Sequence, residues 1–249
     1  MSTSAAAPPS VALITGSSQR LGAATAKHLH HQGYNIVIHY RHSSNEAQAL
    51  ADQLNEIRES SCICLQADLN KPDDIHQLCQ QSVQHWQRLD LLVNNASSFF
   101  PTSIGETSTE HWDDLFASNC KAPFFLSQEL APTLAKHQGN IINMIDIHAS
   151  APLKNHTVYC MAKSALQMMT LSLAKELAPN IRVNGVAPGA ILWPKPEAEM
   201  TTGEKNGILS GIPLERLGTL EDIAKTIVFL ATSSYITGQI IAVDGGRSI

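Results

Sequence analysis

No basic run interrupts this chain, whose 17 lysines and arginines are outnumbered by 22 aspartates and glutamates for a formal net charge of −5. That leaves no electrostatic footprint for a nucleic-acid partner. Nor does any stretch approach the roughly 18 to 20 consecutive apolar residues of a membrane-crossing helix. Residues 1–10, MSTSAAAPPS, carry no cationic start and no apolar run of signal-peptide length, so a short disordered lead-in and a soluble, cytoplasmic protein are expected. Five cysteines, at positions 62, 64, 79, 120 and 160, form an odd set scattered through apparent strands and helices. A disulfide framework is thereby excluded, and Cys62 and Cys64 read as small core filler on one strand face. Zinc-type spacing and the His-Glu-x-x-His pattern are both missing, so no metal is expected. His28, His30 and His31 read as a solvated helix face.

What remains is a chain of 249 residues with 43% hydrophobic content, enough for one large α/β domain over residues 11–249. Strand-like apolar runs recur at 11–15, 35–40, 62–67, 89–94, 140–145, 182–187 and 240–243. Helical patterns lie between them at 21–32, 45–59, 72–87, 109–137 with a break, 159–178 and 220–231. Such alternation predicts a seven-stranded parallel sheet covered by helices on both faces, the doubly wound Rossmann arrangement, with ligands at the carboxyl ends of the strands.

Two motifs carry chemistry. After the first strand, Gly16-Ser17-Ser18-Gln19-Arg20-Leu21-Gly22 leads into a helix. Gly16 suits a tight turn, Gly22 permits close helix packing, and the free amides at the helix start can hold a phosphate. The second strand ends without the Asp or Glu that accepts hydrogen bonds from a ribose 2′-hydroxyl. It offers His39-Tyr40-Arg41-His42-Ser43 instead, and an Arg beside a hydroxyl suits a 2′-phosphate, so the expected cofactor is NADPH. The other motif places Asp146 thirteen residues before Tyr159, with Lys163 one helical turn further on. Positions i and i+4 share a helix face, so Lys163 can favour the ionised form of a phenol whose ordinary pKa is about 10.

Together these features resemble the short-chain dehydrogenase/reductase family over nearly the whole chain, residues 11–248. The matching pieces are Thr15-Gly-x3-Arg-x-Gly22, Asp68, Asn94-Asn95-Ala96, Asn119, Tyr159-x3-Lys163, Pro188-Gly189 and Val243-Asp-Gly-Gly246. Most members have Gly where this chain has Arg20, and Ser where it has Asp146. Both departures are similar to those of the pteridine reductases, as is Asn94-Asn-Ala-Ser-Ser-Phe-Phe-Pro101. The segment from His39 to Ser43 also resembles that group's cofactor segment, with its two basic residues in swapped order.

The resemblance implies a reductase that transfers hydride to a dihydropterin or an oxidised pterin, with dihydrofolate as a further candidate, and a homotetramer. Tyr159 is then the proton donor, and Lys163 lowers its pKa and binds the nicotinamide ribose. Asp146 supports proton delivery to a ring nitrogen. Asp68 and Leu69 border the adenine, while Asn95, Ala96, Pro188 and Gly189 pass close to the cofactor. Ser18, Arg20 and Leu21 approach the pyrophosphate, and Arg20 also reaches the pterin. Phe99 stacks on the pterin, and Ser97 touches substrate and cofactor together. Pro123 frees a carbonyl near Asn119 for a water that links Lys163 to solvent. Residues 190–212, with Trp193, read as a substrate-covering loop. Two other readings stay open: a carbonyl reductase of the same fold acting on a 3-oxoacyl or sugar substrate, and a non-catalytic NADP-binding sensor.

Overall fold

Every strand of the computed structural model, which describes residues 8–193 and 201–249, runs parallel to its neighbours in one seven-stranded sheet. The strands are β1 (Val11–Ile14), β2 (Asn35–Tyr40), β3 (Cys62–Gln66), β4 (Leu91–Asn94), β5 (Asn140–Met144), β6 (Arg182–Pro188) and β7 (Ile240–Val243), in the order β3-β2-β1-β4-β5-β6-β7. The order reverses between β1 and β4, and a crevice opens there at the carboxyl ends.

Alternation along each strand sorts the core into two layers. Val11, Leu13, Val37 and Leu92 face a cluster completed by α3 (Pro72–Gln84), α5 (Ala122–Ala135) and α6 (Thr157–Glu176). Ala12, Ile14, Ile36, Ile38 and Val93 face the other, with α1 (Arg20–His31), α2 (Ser44–Ile57) and α8 (Leu220–Thr232). Because both faces are covered, β1 and β4 are buried at every position. Helix starts follow their local chemistry. Thr219 Oγ1 accepts from Asp222 N at 3.1 Å while Asp222 Oδ2 accepts from Thr219 N at 2.8 Å, a reciprocal cap that opens α8.

Two expectations are corrected, and a third gains detail. The break expected in the 109–137 pattern is a π-helical turn over Ala117–Lys121, between α4 (Thr109–Phe116) and α5. Pro123 lacks the N–H that would otherwise close a bond to the Asn119 carbonyl, and the widened turn accommodates that loss. The 190–212 segment contains a helix, α7 (Thr202–Ser210), capped by Thr201 and Glu204; its residues 194–200 lie outside the described ones, as do residues 1–7 of the expected lead-in. His30 is buried rather than solvated, with Nε2 2.7 Å from Ser61 Oγ. Cys62 and Cys79 are buried in the core, and all five cysteines are free. Among the described residues no helix is long and apolar enough to cross a membrane.

Burial lowers the pKa of His30, and pushes that of His39 down to about 4 against a weaker opposing effect of its bond to the Ala67 carbonyl. The unfolded chain therefore takes up protons first as the pH falls below about 6.5. Stability is full above that value and is lost as the pH drops towards 4, by roughly 3 kcal/mol from His39 alone. Urea titrations between pH 7 and 4 are expected to show this slope, and His39→Asn to flatten much of it.

Candidate active site

The crevice at the strand ends has a volume of about 810 Å³ and is walled by the glycine turn, the ends of β2 to β6, the start of α6 and Trp193. Its floor is a seam between β1 and β4. Thr15 Oγ1 accepts from the amides of Asn95 and Ala96 at 2.9 Å each, and Asn95 Nδ2 donates to Thr15 O at 2.8 Å and Gly16 O at 3.0 Å. Gly16 sits at φ +60°, and a Cβ there would stand 3.0 Å from Ala96 Cα. A Cβ on Gly22 would come within 2.5 Å of Gly16 O. Side chains are thus excluded at both positions by the close packing of the turn against Ala96 and against its own backbone.

Arg20 takes the left-handed φ of +51° that glycine adopts without strain, and lines the crevice with an exposed side chain. Ser18 and Leu21 line it beside Arg20. At the end of β2, Arg41 and Ser43 face the crevice, and Arg41 Nη2 donates to Asp68 Oδ2 at 3.1 Å. Asp68 and Leu69 form the neighbouring wall, and Asp68 Oδ1 also accepts from Asn70 N at 3.1 Å. Two expected cofactor residues are not on the wall. Tyr40 follows Ile36 and Ile38 in the alternation of β2 and packs towards the α1–α2–α8 layer. His42 is exposed and, unlike Arg41 and Ser43, does not line the crevice. His39 lines the wall, but both its ring nitrogens already have protein partners.

At the other end, Asp146 leaves β5 and caps a short 3₁₀ turn over Ile147–Ala149, its Oδ1 accepting from His148 N at 2.8 Å. Tyr159, in the first turn of α6, donates its hydroxyl to Asp146 Oδ2 at 2.8 Å. Lys163 is buried, donates from Nζ to Met144 O at 2.8 Å, and lies 5.7 Å from the Tyr159 ring centroid. The expected lowering of the phenol pKa is overturned. Burial, and then the Asp146 carboxylate, raise it well above the usual tyrosine value. Burial acts on Lys163 in the opposite sense and pushes it down to about 8, with Asp146 opposing.

Asn119 is fully buried behind the wall rather than on it, and its Nδ2 donates to Ser98 O and Leu115 O at 2.9 Å each. Among the described residues its Oδ1 has no hydrogen-bond partner. Ser97, Phe99, Pro188 and Gly189 line the crevice. The Phe99 ring, 55% exposed, stacks on His156 with centroids 4.7 Å apart and meets Tyr159 edge-on at 4.8 Å. Trp193 is half-buried, with Lys205 Nζ 5.8 Å from its ring centroid. Among lining residues not singled out in the sequence are His148, His156 and Arg247, while Ile208 falls in the 190–212 segment expected to cover the substrate. His156, three residues before Tyr159, was detectable from helical spacing; Arg247 comes from a distant segment and left no local signal.

A family model described as enoyl-(acyl carrier protein) reductase matches residues 16–248. Pteridine reductase 1 of Leishmania tarentolae is 39% identical, covering 100% of this chain and 99% of that protein. A short-chain type dehydrogenase/reductase of Picea abies is 34% identical over 95% of this chain and 92% of its own length. The 3-oxoacyl-acyl-carrier-protein reductase FabG of Staphylococcus epidermidis is 33% identical over 94% and 97%.

Arg20 sets a strained backbone against a useful charge. Arg20→Gly is expected to raise stability by about 1 kcal/mol and to weaken binding of a phosphate-bearing dinucleotide. Thermal melts beside a binding titration check both signs; unchanged affinity would mark Arg20 as a surface cation.

Proposed function

The chain belongs to the short-chain dehydrogenase/reductase family, and on that premise we propose that it is an NADPH-dependent pteridine reductase, forming tetrahydropterin from a dihydropterin or oxidised pterin and also accepting dihydrofolate. The observation that carries this reading is the hydrogen bond from Tyr159 to the Asp146 carboxylate at 2.8 Å, beside the exposed ring of Phe99. A carboxylate at the reacting centre disfavours the developing oxyanion of a ketone and favours a ring nitrogen that gains a proton. Phe99 offers a flat heterocycle a stacking face.

The glycine turn suits a dinucleotide, since Gly16 and Gly22 let the turn pack against Ala96 and against its own backbone where a Cβ would clash, which keeps the start of α1 at the crevice. Ser18, Arg20 and Leu21 would hold the pyrophosphate, Arg41 and Ser43 the 2′-phosphate, Asp68 and Leu69 the adenine end, and Tyr159 and Lys163 the nicotinamide ribose, with Asn95, Ala96, Ser97, Pro188 and Gly189 alongside. When bound, the reduced nicotinamide supplies a hydride. Tyr159, held protonated, keeps its proton loaded for the ring nitrogen. Lys163, still largely ammonium at neutral pH, stabilises the phenolate as it forms and is acidic enough to return a proton to it. Asp146 orients the hydroxyl through Oδ2, while its grip on His148 N fixes the carboxylate. Trp193 and Phe99 bound the substrate slot, and Arg20 reaches it from the cofactor side.

The likeness to 3-oxoacyl reductases supports a second reading, a carbonyl reductase, and one assay separates the two. NADPH oxidation is followed with oxidised pterins, dihydropterins, dihydrofolate, simple ketones and a 3-oxoacyl thioester. Turnover confined to the carbonyl compounds overturns the proposal. We also propose a homotetramer located in the cytoplasm; its assembly is supported by apolar side chains exposed along α4 to α6, among them Trp112, Phe125, Met161 and Met168.

Asp146→Ser is expected to lower pterin turnover by a factor of about 10² or more while NADPH still binds; retained turnover in a folded variant would remove Asp146 from the chemistry. Arg41→Ala is expected to weaken NADPH by about 1.5 to 3 kcal/mol and leave NADH nearly unchanged. Equal weakening of both in paired titrations would rule out the 2′-phosphate contact.

A further inference from the structure

Every backbone amide has one hydrogen to give, so the amides of a phosphate-binding turn that are already used inside the protein decide which ones a ligand meets. Here Thr15 N donates to Val93 O at 3.0 Å, and Ser17 N to His39 O at 3.0 Å. Gly16 N donates to His39 Nδ1 at 3.0 Å. The other ring nitrogen, Nε2, lies 3.1 Å from Ala67 O, which can only accept. The two partners therefore fix one tautomer: the proton sits on Nε2, and Nδ1 is the acceptor. His39 is only 2% exposed, so neither partner can be replaced by solvent without opening the wall.

His39 also donates from its own amide to Ser17 Oγ at 3.3 Å. One residue thus ties the turn after β1, the end of β2 and the end of β3, and Arg41 and Asp68 are the first crevice residues beyond these ties. We propose that His39 is a positioning residue for the adenosine half of the dinucleotide: it makes no hydrogen bond to the ligand, but its imidazole withdraws the Gly16 amide and sets the turn so that the phosphates are met from Ser18 onward, at the amides that open α1, which find no acceptor among the described residues. This rests on the reading of the crevice as a dinucleotide site, and not on which substrate is reduced.

The ring's two bonds can be removed separately. In His39→Asn the amide oxygen falls near the place of Nδ1 and keeps an acceptor for Gly16 N. In His39→Gln the amide reaches towards Ala67 O and leaves Gly16 N without one, and His39→Phe fills the volume with neither. Dissociation constants for NADPH and NADH are read from ligand fluorescence on each folded protein, together with hydrogen exchange at the Gly16 amide.

The expected result is a rise of about tenfold or more in Kd for His39→Gln and His39→Phe, and of less than about threefold for His39→Asn. Exchange at Gly16 should be fast in the first two and slow in the third. Equal affinity in all three variants overturns the proposal, as does an Asn variant as weak as the Phe variant. If His39→Phe does not fold, the Asn and Gln pair decides alone. If the wild type prefers NADH, the NADPH reading fails, while the comparison among variants still tests His39 on the cofactor that binds.

Discussion

A single hydroxyl holds the two halves of the crevice together. Thr15 Oγ1 spends both lone pairs on the amides of Asn95 and Ala96 and directs its hydrogen at Val93 O, 3.4 Å away. Asn95 returns two bonds to the backbone of Thr15 and Gly16. β1 and β4 pair directly where the strand order reverses, and this seam extends their ladder so that the glycine turn stays in register with the loop that carries Ser97 and Phe99. A valine at Thr15 would match its shape and orphan two buried amides, a change that costs more than the loss of one ordinary hydrogen bond.

The reacting end obeys the opposite economy of charge. Burial drives Tyr159 and Lys163 towards their neutral forms, the phenol by raising its pKa and the ammonium by lowering it. Asp146 reinforces the first effect and opposes the second. The three groups therefore form one coupled unit, in which moving a proton on any member changes the environment of the others. The Met144 carbonyl anchors the lysine, and the His148 amide anchors the carboxylate, so the unit is held by backbone at both ends.

Much of this was legible in the sequence because parallel strands end at one edge, and each motif that followed a strand had to arrive there. Gly16, Arg41, Asp68, Asn95, Asp146 and Pro188 all follow or end a strand, and all six line the crevice. Helix α7 was missed because its apolar residues have no consistent face, and no residue within it is buried. Tyr40 and His42 were placed at the cofactor as part of a contiguous segment, whereas a strand end presents only alternate residues to one side. The direction of the Tyr159 shift was misread because spacing reveals that Lys163 is near but not that both groups are dry. The withdrawal of His39 from ligand contact depends on the Ala67 carbonyl, 28 residues away, and no local pattern could announce it.

Phe99 is more than half exposed, and a side chain so placed ordinarily samples several rotamers. Its stack on His156, 15° from parallel, and its edge contact with Tyr159 hold the ring before anything binds. A planar ligand that lies on the remaining face meets a surface whose conformational entropy has already been surrendered during folding. The affinity gained from stacking is then largely free of the ordering cost that a mobile aromatic would impose, and the slot selects for flatness before it selects for any hydrogen-bonding pattern.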